Sequence, residues 1–268
     1  MTPPAAGPVH RNLAVLIDFE NLALGFPKGS KAAFDIHRVL DRLLEKGKVV
    51  VKMAYADWSR FRAYVGDLHE AGIELIEIPK RSMTGKNSAD IRLVVDAMDL
   101  SYAKEHIDTF VIVSGDSDFS PLVGKLKANG KSVIGLGMKD STSTLLANNC
   151  DEFLYYEDLG GGKQVLSGND AGDKVPADKK EVFSLLFDSI RALQREDYDL
   201  FPSRIKETMR RKQPSFSEGS YGYRSFGELL EDAEEAGFLE LKLDDRSGTY
   251  IVTKMKTGRR RRRGGARK

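Results

Sequence analysis

An apolar run meets a cluster of small and acidic residues in the segment Phe110-Val111-Ile112-Val113-Ser114-Gly115-Asp116-Ser117-Asp118-Phe119. Its first four residues are apolar on consecutive positions, which is typical of a strand covered on both faces in a parallel sheet. An earlier apolar run, Leu13–Ile17, leads in the same way into Asp18-Phe19-Glu20-Asn21. Ligand sites of parallel sheets form at the carboxyl ends of the strands. The two segments therefore predict a polar site at one edge of a parallel sheet.

Strand and helix patterns alternate through the first 160 residues. Short runs rich in Val and Ile predict strands at Leu13–Ile17, Val49–Ala54, Ile73–Ile78, Phe110–Val113 and Ser132–Leu136. Amphipathic patterns predict helices at about 34–46, 58–71, 88–105, 119–129 and 141–149. This alternation with short connections favours an α/β fold, a doubly wound parallel sheet in a three-layer, Rossmann-like architecture.

Charge is distributed unevenly along the chain. The 268 residues include 42 Lys and Arg against 40 Asp and Glu, a net charge of +2. Seven of the basic residues lie in the last eleven positions, which leaves 35 basic against 40 acidic residues elsewhere. The single cysteine excludes a disulfide framework or a zinc-cysteine cluster, and the four histidines lack metal-ligand spacing. Apolar runs also fall short of the roughly 20 residues needed to cross a bilayer, so we expect a soluble, cytoplasmic protein.

Composition divides the chain into five parts. We expect a disordered N-terminus at 1–11, an α/β domain at 12–160, a flexible Gly-rich and polar linker at 161–178, a second domain at 179–256 and a basic disordered tail at 257–268. The second domain carries three helical patterns followed by two short strand patterns around a polar turn. This order predicts a small winged helix-turn-helix.

Acidic residues follow the first and fourth predicted strands. Asp18, Asp116 and Asp118 would converge at the sheet edge, and Asp90, at the start of the third helix, can reach the same crevice. Four carboxylates repel one another, and hard oxygen ligands without Cys or His favour Mg²⁺ or Mn²⁺. Asn21 could orient a water or a phosphate. Helix capping alone is an alternative explanation for any single one of these acids.

Two groups of basic and aromatic residues are candidates for RNA contact. The first surrounds Asp90 and consists of Lys80, Arg81, Lys86 and Arg92. The second lies in the second domain and consists of Arg204, Lys206, Arg210, Arg211, Lys212, Tyr223 and Arg224. An ordinary solvated loop would explain the first group equally well, and Tyr223 could instead belong to the core. The Arg-rich tail would suit RNA, DNA or an acidic protein.

Three motifs carry a resemblance to a known family: Leu16–Leu22, Lys86–Ile91 and Val113–Phe119. Together they resemble the NYN domain in its LabA-like branch, a group of PIN-like, metal-dependent ribonucleases. The resemblance implies a sheet order of 3-2-1-4-5 and catalytic, metal-binding acids at Asp18, Asp90, Asp116 and Asp118, with Asn21 beside them. Phe19 stands where the family often has a small residue, and this departure could narrow the crevice.

The second domain is similar to the LOTUS, or OST-type, helix-turn-helix. The similarity lies in Val182–Leu193, Phe201–Lys206, Tyr223–Leu230 and the hairpin entry at Gly237-Phe238. It implies RNA binding, or protein docking in some members. Combined with the first resemblance, it leads to the hypothesis of a metal-dependent endoribonuclease whose second domain and tail recruit RNA. The alternatives are a non-catalytic RNA-binding or regulatory adaptor and, ranked lower, a DNA nuclease or a phosphatase.

Overall fold

The computed structural model describes residues 11–26, 34–78, 88–159, 179–243 and 250–255. The chain divides into two compact units, Met1–Gly162 and Lys163–Lys268. The N-terminal segment up to residue 10, the linker at 161–178, the tail at 257–268 and the candidate RNA-binding residues Lys80, Arg81 and Lys86 lie outside the described residues.

A six-stranded parallel sheet forms the centre of the first unit. Its strands are β1 (Asn12–Asp18), β2 (Lys48–Ala56), β3 (Glu74–Glu77), β4 (Thr109–Val113), β5 (Ser132–Gly137) and β6 (Glu152–Tyr155). Their order across the sheet is β3-β2-β1-β4-β5-β6. The five predicted strands and their order are confirmed, and β6 adds an edge strand that was not predicted. This strand has only four half-buried residues and lacks a Val/Ile run, so its sequence carries little strand signal.

Six helices accompany the sheet: α1 (Phe19–Leu24), α2 (Ile36–Lys46), α3 (Arg62–Glu70), α4 (Ser88–Ala103), α5 (Ser120–Ala128) and α6 (Thr144–Asn149). All five predicted helices are present but shorter by two or more residues, and α1 was not predicted. Residues before α3 form a turn in which the Arg60 and Phe61 N–H groups donate to Asp57 and Trp58 carbonyls. This turn explains why the predicted helix at 58–71 begins late.

The apolar residues of β1 divide between the two faces of the sheet. Leu13, Val15 and Ile17 pack with α1 and α2 on one face, whereas Ala14 and Leu16 pack with residues of α4 and α5 on the other. All five side chains are fully buried. Alternate residues of a strand point to opposite faces, so a run of consecutive apolar residues requires cover on both. The predicted three-layer α/β fold is therefore confirmed.

The second unit contains three helices followed by an antiparallel hairpin. The elements are α7 (Lys180–Arg195), α8 (Pro202–Lys212), α9 (Phe226–Glu235), β7 (Leu239–Leu243) and β8 (Tyr250–Met255). Their side chains share one core, centred on residues such as Leu186, Ile205 and Leu229. Gly237 has a φ of 80°, a left-handed conformation that glycine adopts readily just after the end of a helix such as α9. In the described part of the chain, no helix is both long and apolar enough to span a membrane.

Candidate active site

Asp18 and Ser114 lie side by side at the carboxyl edge of the sheet. They follow neighbouring parallel strands in which Ile17 pairs with Val113. Asp18 is 4% exposed and Ser114 is fully buried. The Ser114 hydroxyl donates to Asp18 Oδ2 at 3.0 Å and accepts the Asp116 N–H at 3.2 Å. One buried hydroxyl thus links the acid after β1 to the first acid after β4.

Asn21 holds the same two loops together from the other side. Its N–H donates to Asp18 Oδ1 at 3.2 Å, which makes Asp18 the N-cap of α1. Its side-chain oxygen accepts the Gly115 N–H at 2.9 Å. The sequence predicted a role for Asn21 in orienting a water or a phosphate. In the structure the side-chain amide oxygen of Asn21 accepts a hydrogen bond from the loop after β4, a contact that no sequence signal had indicated.

Gly115 lies too close to the loop after β5 to carry a side chain. A Cβ at this position would come within 2.6 Å of the Ser141 carbonyl oxygen. In addition, the Ser143 N–H donates to the Gly115 carbonyl at 2.8 Å. The glycine of the Ser-Gly-Asp segment is therefore required by close packing of two backbone segments. Its contact fixes the direction in which Asp116 leaves the strand.

Asp116 and Asp118 occupy a short 3-10 turn, Ser117–Phe119, that leads into α5. Asp116 Oδ1 caps this turn by accepting the Asp118 N–H at 3.0 Å. Asp118 is exposed and Asp116 is half-buried. The capping role that sequence reasoning kept as an alternative is thus real for Asp116. It is compatible with a second role, because a carboxylate has two oxygens and several lone pairs.

Electrostatic coupling shows that the acids share one environment. Burial raises the pKa of Asp18 to about 7, with further increases from Asp90 and Asp116. Burial also raises the pKa of Asp90, and the carboxylates of Asp116, Asp118 and Glu20 add to that rise. Desolvation and like charges both disfavour the ionised form of a carboxyl group. Asp90, in the first turn of α4, therefore belongs to the same cluster as the acids after β1 and β4.

Glu20 lies beside the acid cluster, although the sequence did not indicate it as a site residue. It accepts the Asp57 N–H at 3.0 Å and forms an ion pair with Arg60 at 3.1 Å. These contacts tie α1 to the turn after β2, while the Glu20 charge raises the pKa of Asp90. Glu20 thus contributes to the negative potential of the site from its rim.

Phe19 fills the core instead of the crevice. Its fully buried ring contacts the rings of Phe34, Trp58, Phe61 and Tyr64, with centroids 5.2–5.6 Å away. The expectation that Phe19 could narrow the crevice is wrong. The ring of Trp58 belongs to the same aromatic cluster.

Comparison with known proteins places this geometry in a family. The family model described as NYN domain matches residues 12–157, which is more than half of the chain. The chain belongs to the NYN domain family. NYN domains are part of the PIN-like nuclease superfamily, whose members generally use divalent metals. The match ends at residue 157 and therefore concerns the first unit only.

Two similar proteins agree with this assignment without adding a function. An uncharacterized protein of Methanocaldococcus jannaschii is 33% identical over 143 residues, which cover 53% of this chain and 53% of that protein. The chain thus spans about half the length of the curated relative that it matches. A crystal structure of a protein of unknown function from Vibrio parahaemolyticus has a TM-score of 0.50 and 24% identity, and the match covers 58% of this chain and 98% of that chain. This likeness supports the fold alone.

The donor set of the NYN domain suits a hard divalent cation. Its four candidate ligands are carboxylates, and the rise in the pKa of Asp90 that its acidic neighbours cause reflects a repulsion that a cation would relieve. Within the described ranges, no three Asp, Glu, His or Cys side chains are already gathered in a geometry that would hold a metal ion. Asp18 and Asp116 direct oxygens to backbone caps. The residues fit the ion by charge and chemistry, and the carboxylates would have to reorient to gather around it.

Arg92 and Asp96 form a separate network on α4. Arg92 Nε donates to both Asp96 oxygens at 2.9 and 3.0 Å. The buried Tyr55 hydroxyl donates to Asp96 Oδ2 at 3.0 Å. Asp96 therefore attaches α4 to β2. The guanidinium of Arg92, expected near a phosphate, is engaged by Asp96 within its own helix.

Tyr223 does not form the exposed stacking surface that was predicted. It is 7% exposed and lies in the core of the second unit. Its hydroxyl donates to Asp232, which also pairs with Lys179 at 2.7 Å. The interpretation of Tyr223 as a base-stacking residue is wrong, because a Gly/Ser-rich approach to a helix can place an aromatic residue inward as readily as outward.

Tyr198 is an exposed aromatic residue that sequence reasoning missed. Its side chain is 42% exposed, and the guanidinium carbon of Arg204 lies 5.0 Å from its ring centroid. Among the other basic candidates, Lys206 pairs with Glu218 at 2.6 Å, whereas Arg210 and Arg224 are exposed. The pair of Tyr198 and Arg204 has the chemistry that was expected of Tyr223 and Arg224.

Proposed function

We propose that the chain is a metal-dependent endoribonuclease that hydrolyses RNA phosphodiester bonds at the acidic edge of its NYN domain. The observation that carries this proposal is the linkage of Asp18 to Asp116 through the Ser114 hydroxyl. Two further acids, Asp90 and Asp118, are coupled electrostatically to the same place. NYN domains belong to a nuclease superfamily, so catalysis explains why these acids lie together, whereas helix capping alone does not require it.

The proposed site residues have distinct tasks. Asp18 is held in position by two hydrogen bonds, from Asn21 N–H and from Ser114 Oγ. Asp116 is oriented by the glycine contact that precedes it, and Asp118 stands exposed where substrate arrives. Asp18, Asp90, Asp116 and Asp118 would hold Mg²⁺ or Mn²⁺. When bound, the ion would activate a water molecule and stabilise charge on the phosphodiester.

Recruitment of RNA is proposed for the second unit, read as a LOTUS-type helix-turn-helix, and for the basic tail. The element order of three helices and a hairpin supports this reading. Tyr198 with Arg204 offers a ring and a cation for an unpaired base, and the exposed Arg210 and Arg224 offer phosphate contacts. Lys206, Arg211 and Lys212 share helix α8 with Arg204 and Arg210. Arg92, Lys80, Arg81 and Lys86 would contact phosphates nearer the acids.

The proposal is tested by cleavage of end-labelled single-stranded RNA with the full chain, in Mg²⁺, Mn²⁺ or EDTA. We expect cation-dependent cutting that is lost in an Asp116→Asn, Asp118→Asn double variant. Asp99→Asn, an exposed acid on α4, is the matched control and should cut like the wild type. Equal cutting by the double variant and the wild type would overturn the assignment. RNA retained without cutting in any cation would favour the adaptor hypothesis, and cutting of DNA or of small phosphate esters would favour the remaining alternatives.

A further inference from the structure

A cleft opens directly beside the proposed catalytic acids. Its volume is about 780 Å³, within the range of roughly 300–1,000 Å³ that is usual for small-molecule sites. Asp90 and Asp118 belong both to this cleft and to the acid cluster. Its lining residues come from α4, α6, the 3-10 turn after β4 and the start of α5. A molecule bound in the cleft would therefore lie in contact with the site of the proposed reaction.

The walls of the cleft are aliphatic and exposed. Ile91 is 63% exposed and Val95 is 55% exposed on α4, and Leu145 on α6 is 57% exposed. Ile91 and Val95 are four residues apart and so lie on one face of the helix. Single exposed apolar residues are ordinary, but three that line one concave surface indicate a binding site.

One residue that lines the cleft, Ser120, has a buried hydroxyl without a hydrogen-bond partner in the described residues. Ser120, the first residue of α5, lines the cleft. Its Oγ is shielded from solvent and forms no hydrogen bond within the ranges that the structure describes. An unpaired buried hydroxyl costs free energy, which a polar ligand group recovers when it supplies a partner. Ser120 thus adds a hydrogen-bonding group to a cleft whose other polar lining residues are Asp90, Ser117 and Asp118.

The charge at the entrance selects which part of a nucleotide enters. Asp90 and Asp118 would repel a phosphate that was not paired with a cation. A nucleobase is uncharged, has flat apolar faces and carries donors and acceptors on its edge. Unstacked bases of single-stranded RNA are bound in this way, between apolar side chains and with hydrogen bonds to the edge. The aliphatic walls and the Ser120 hydroxyl match these two requirements.

We propose that this cleft binds the unpaired nucleobase that flanks the phosphate held at the acids. The inference rests on the proposed function, because it names the substrate of that site as RNA with an unstacked base beside the cleaved bond. Ile91, Val95 and Leu145 contact the faces of the base, and Ser120 contacts its edge. Continuous double-stranded RNA is then a poor substrate, since its bases cannot enter the cleft without being flipped out.

Binding and cleavage are measured separately to test this proposal. Short single-stranded RNAs, each with one abasic position, are titrated against the full chain carrying Asp116→Asn, and the same RNAs are offered to the wild type for cleavage. We expect one abasic position to weaken binding by about tenfold, a typical loss for one stacked base. That position should lie next to the bond that the wild type cleaves.

Substitutions of the cleft residues test whether these residues bind the base that the abasic RNA lacks. A variant that combines Val95→Ala and Leu145→Ala with Asp116→Asn should bind intact and abasic RNA with equal affinity. Ser120→Ala should reduce the differences in affinity among the four bases at the sensitive position. Tyr102→Ala removes an exposed aromatic residue of α4 outside the cleft and should retain the full abasic effect. Val95, Leu145 and Tyr102 are exposed, and circular dichroism checks that each variant is folded.

The outcomes separate the two proposals. A flat abasic scan, or an abasic effect that survives in the Val95→Ala, Leu145→Ala background, overturns the base-binding cleft even if the wild type cleaves RNA. The same flat result is expected if the cleft instead receives an apolar helix of a protein partner. A position-specific abasic effect that the cleft variants abolish supports the cleft. If no condition then gives cleavage, the proposed nuclease function fails while the base-binding site stands.

Discussion

The hydroxyl of Ser114 donates to Asp18 Oδ2 across 3.0 Å, between two residues that are 96 positions apart in sequence. Both side chains are buried, and the same hydroxyl accepts the Asp116 N–H. The serine of the segment after β4 therefore sets the position of the acid after β1. The proposed active site depends on this contact as much as on the carboxylates themselves.

Replacing Ser114 by Ala removes a partner from two buried groups at once. We expect a loss of about 1–3 kcal/mol in the free energy of unfolding, measured by urea denaturation. Because this hydrogen bond lowers the pKa of Asp18, its loss should leave the carboxyl more protonated and so raise the concentration of divalent cation that RNA cleavage needs. Ser117→Ala, three residues further on and half-exposed, is the control. Unchanged stability and cleavage in Ser114→Ala would contradict the role assigned to the hydroxyl.

Asp18→Asn should stabilise the chain near neutral pH in EDTA. Burial raises the pKa of Asp18 from 3.8 to about 7, so the folded state holds a proton that the unfolded state has released. The wild type therefore loses stability as the pH rises from about 4 to about 7, by up to about 4 kcal/mol. The variant lacks this loss, and its advantage should grow through that window and stay level above it.

Thermal unfolding across the pH range checks this expectation. Asp67→Asn, an exposed carboxylate on α3, should follow the wild-type curve. Parallel pH profiles for Asp18→Asn and wild type would show that Asp18 is not held in a desolvating environment.

Substitutions at Gly115 and Gly66 form a matched pair that tests the contact between the loops after β4 and β5. A Cβ at Gly115 would approach the Ser141 carbonyl oxygen to 2.6 Å, whereas a Cβ at Gly66 would meet nothing within 4 Å. We expect Gly115→Ala to lower the melting temperature and to abolish RNA cleavage. Gly66→Ala, inside α3, should raise stability by about 0.5–1 kcal/mol. A neutral Gly115→Ala would mean that the two loops are not in contact.

Tyr198 and Tyr223 should respond to substitution in opposite ways. Tyr198→Ala removes an exposed ring beside Arg204 and should weaken RNA affinity about tenfold at unchanged stability. Tyr223→Phe removes a hydroxyl bonded to Asp232 and should lower stability by about 1 kcal/mol at unchanged affinity. Fluorescence anisotropy and denaturant titration measure the two effects. The reverse pattern would restore Tyr223 as the RNA contact.

Sequence patterns predicted the strands of the sheet because burial on both faces leaves consecutive apolar residues. They also located the acids of the site, since residues that follow parallel strands emerge at one edge. The edge strand β6 escaped prediction, because four half-buried residues without a Val/Ile run do not differ clearly from a loop. The resemblance to a known family, and not the pattern itself, supplied the order of the strands.

Contacts between distant residues were beyond sequence reasoning. The packing of loops and helices decides three such features: the hydrogen bond from the Gly115 N–H to the Asn21 side-chain oxygen, the burial of Tyr223 and the exposure of Tyr198. Sequence patterns did not reveal the aliphatic cleft, for the same reason. Val95 fits an ordinary amphipathic pattern, and only the packing of the neighbouring elements leaves it exposed. Residue type predicted the chemistry, while packing decided which residues are available for it.

The most direct measurement is the rate of RNA cleavage by Asp18→Asn in Mn²⁺, compared with the wild type under conditions where both are folded. The account predicts a variant that is at least as stable as the wild type and yet cuts more than about 100-fold more slowly, beyond the usual effect of losing an outer-shell partner. Cleavage at the wild-type rate by this stable variant would contradict the claim that the acids at the sheet edge form a ribonuclease site.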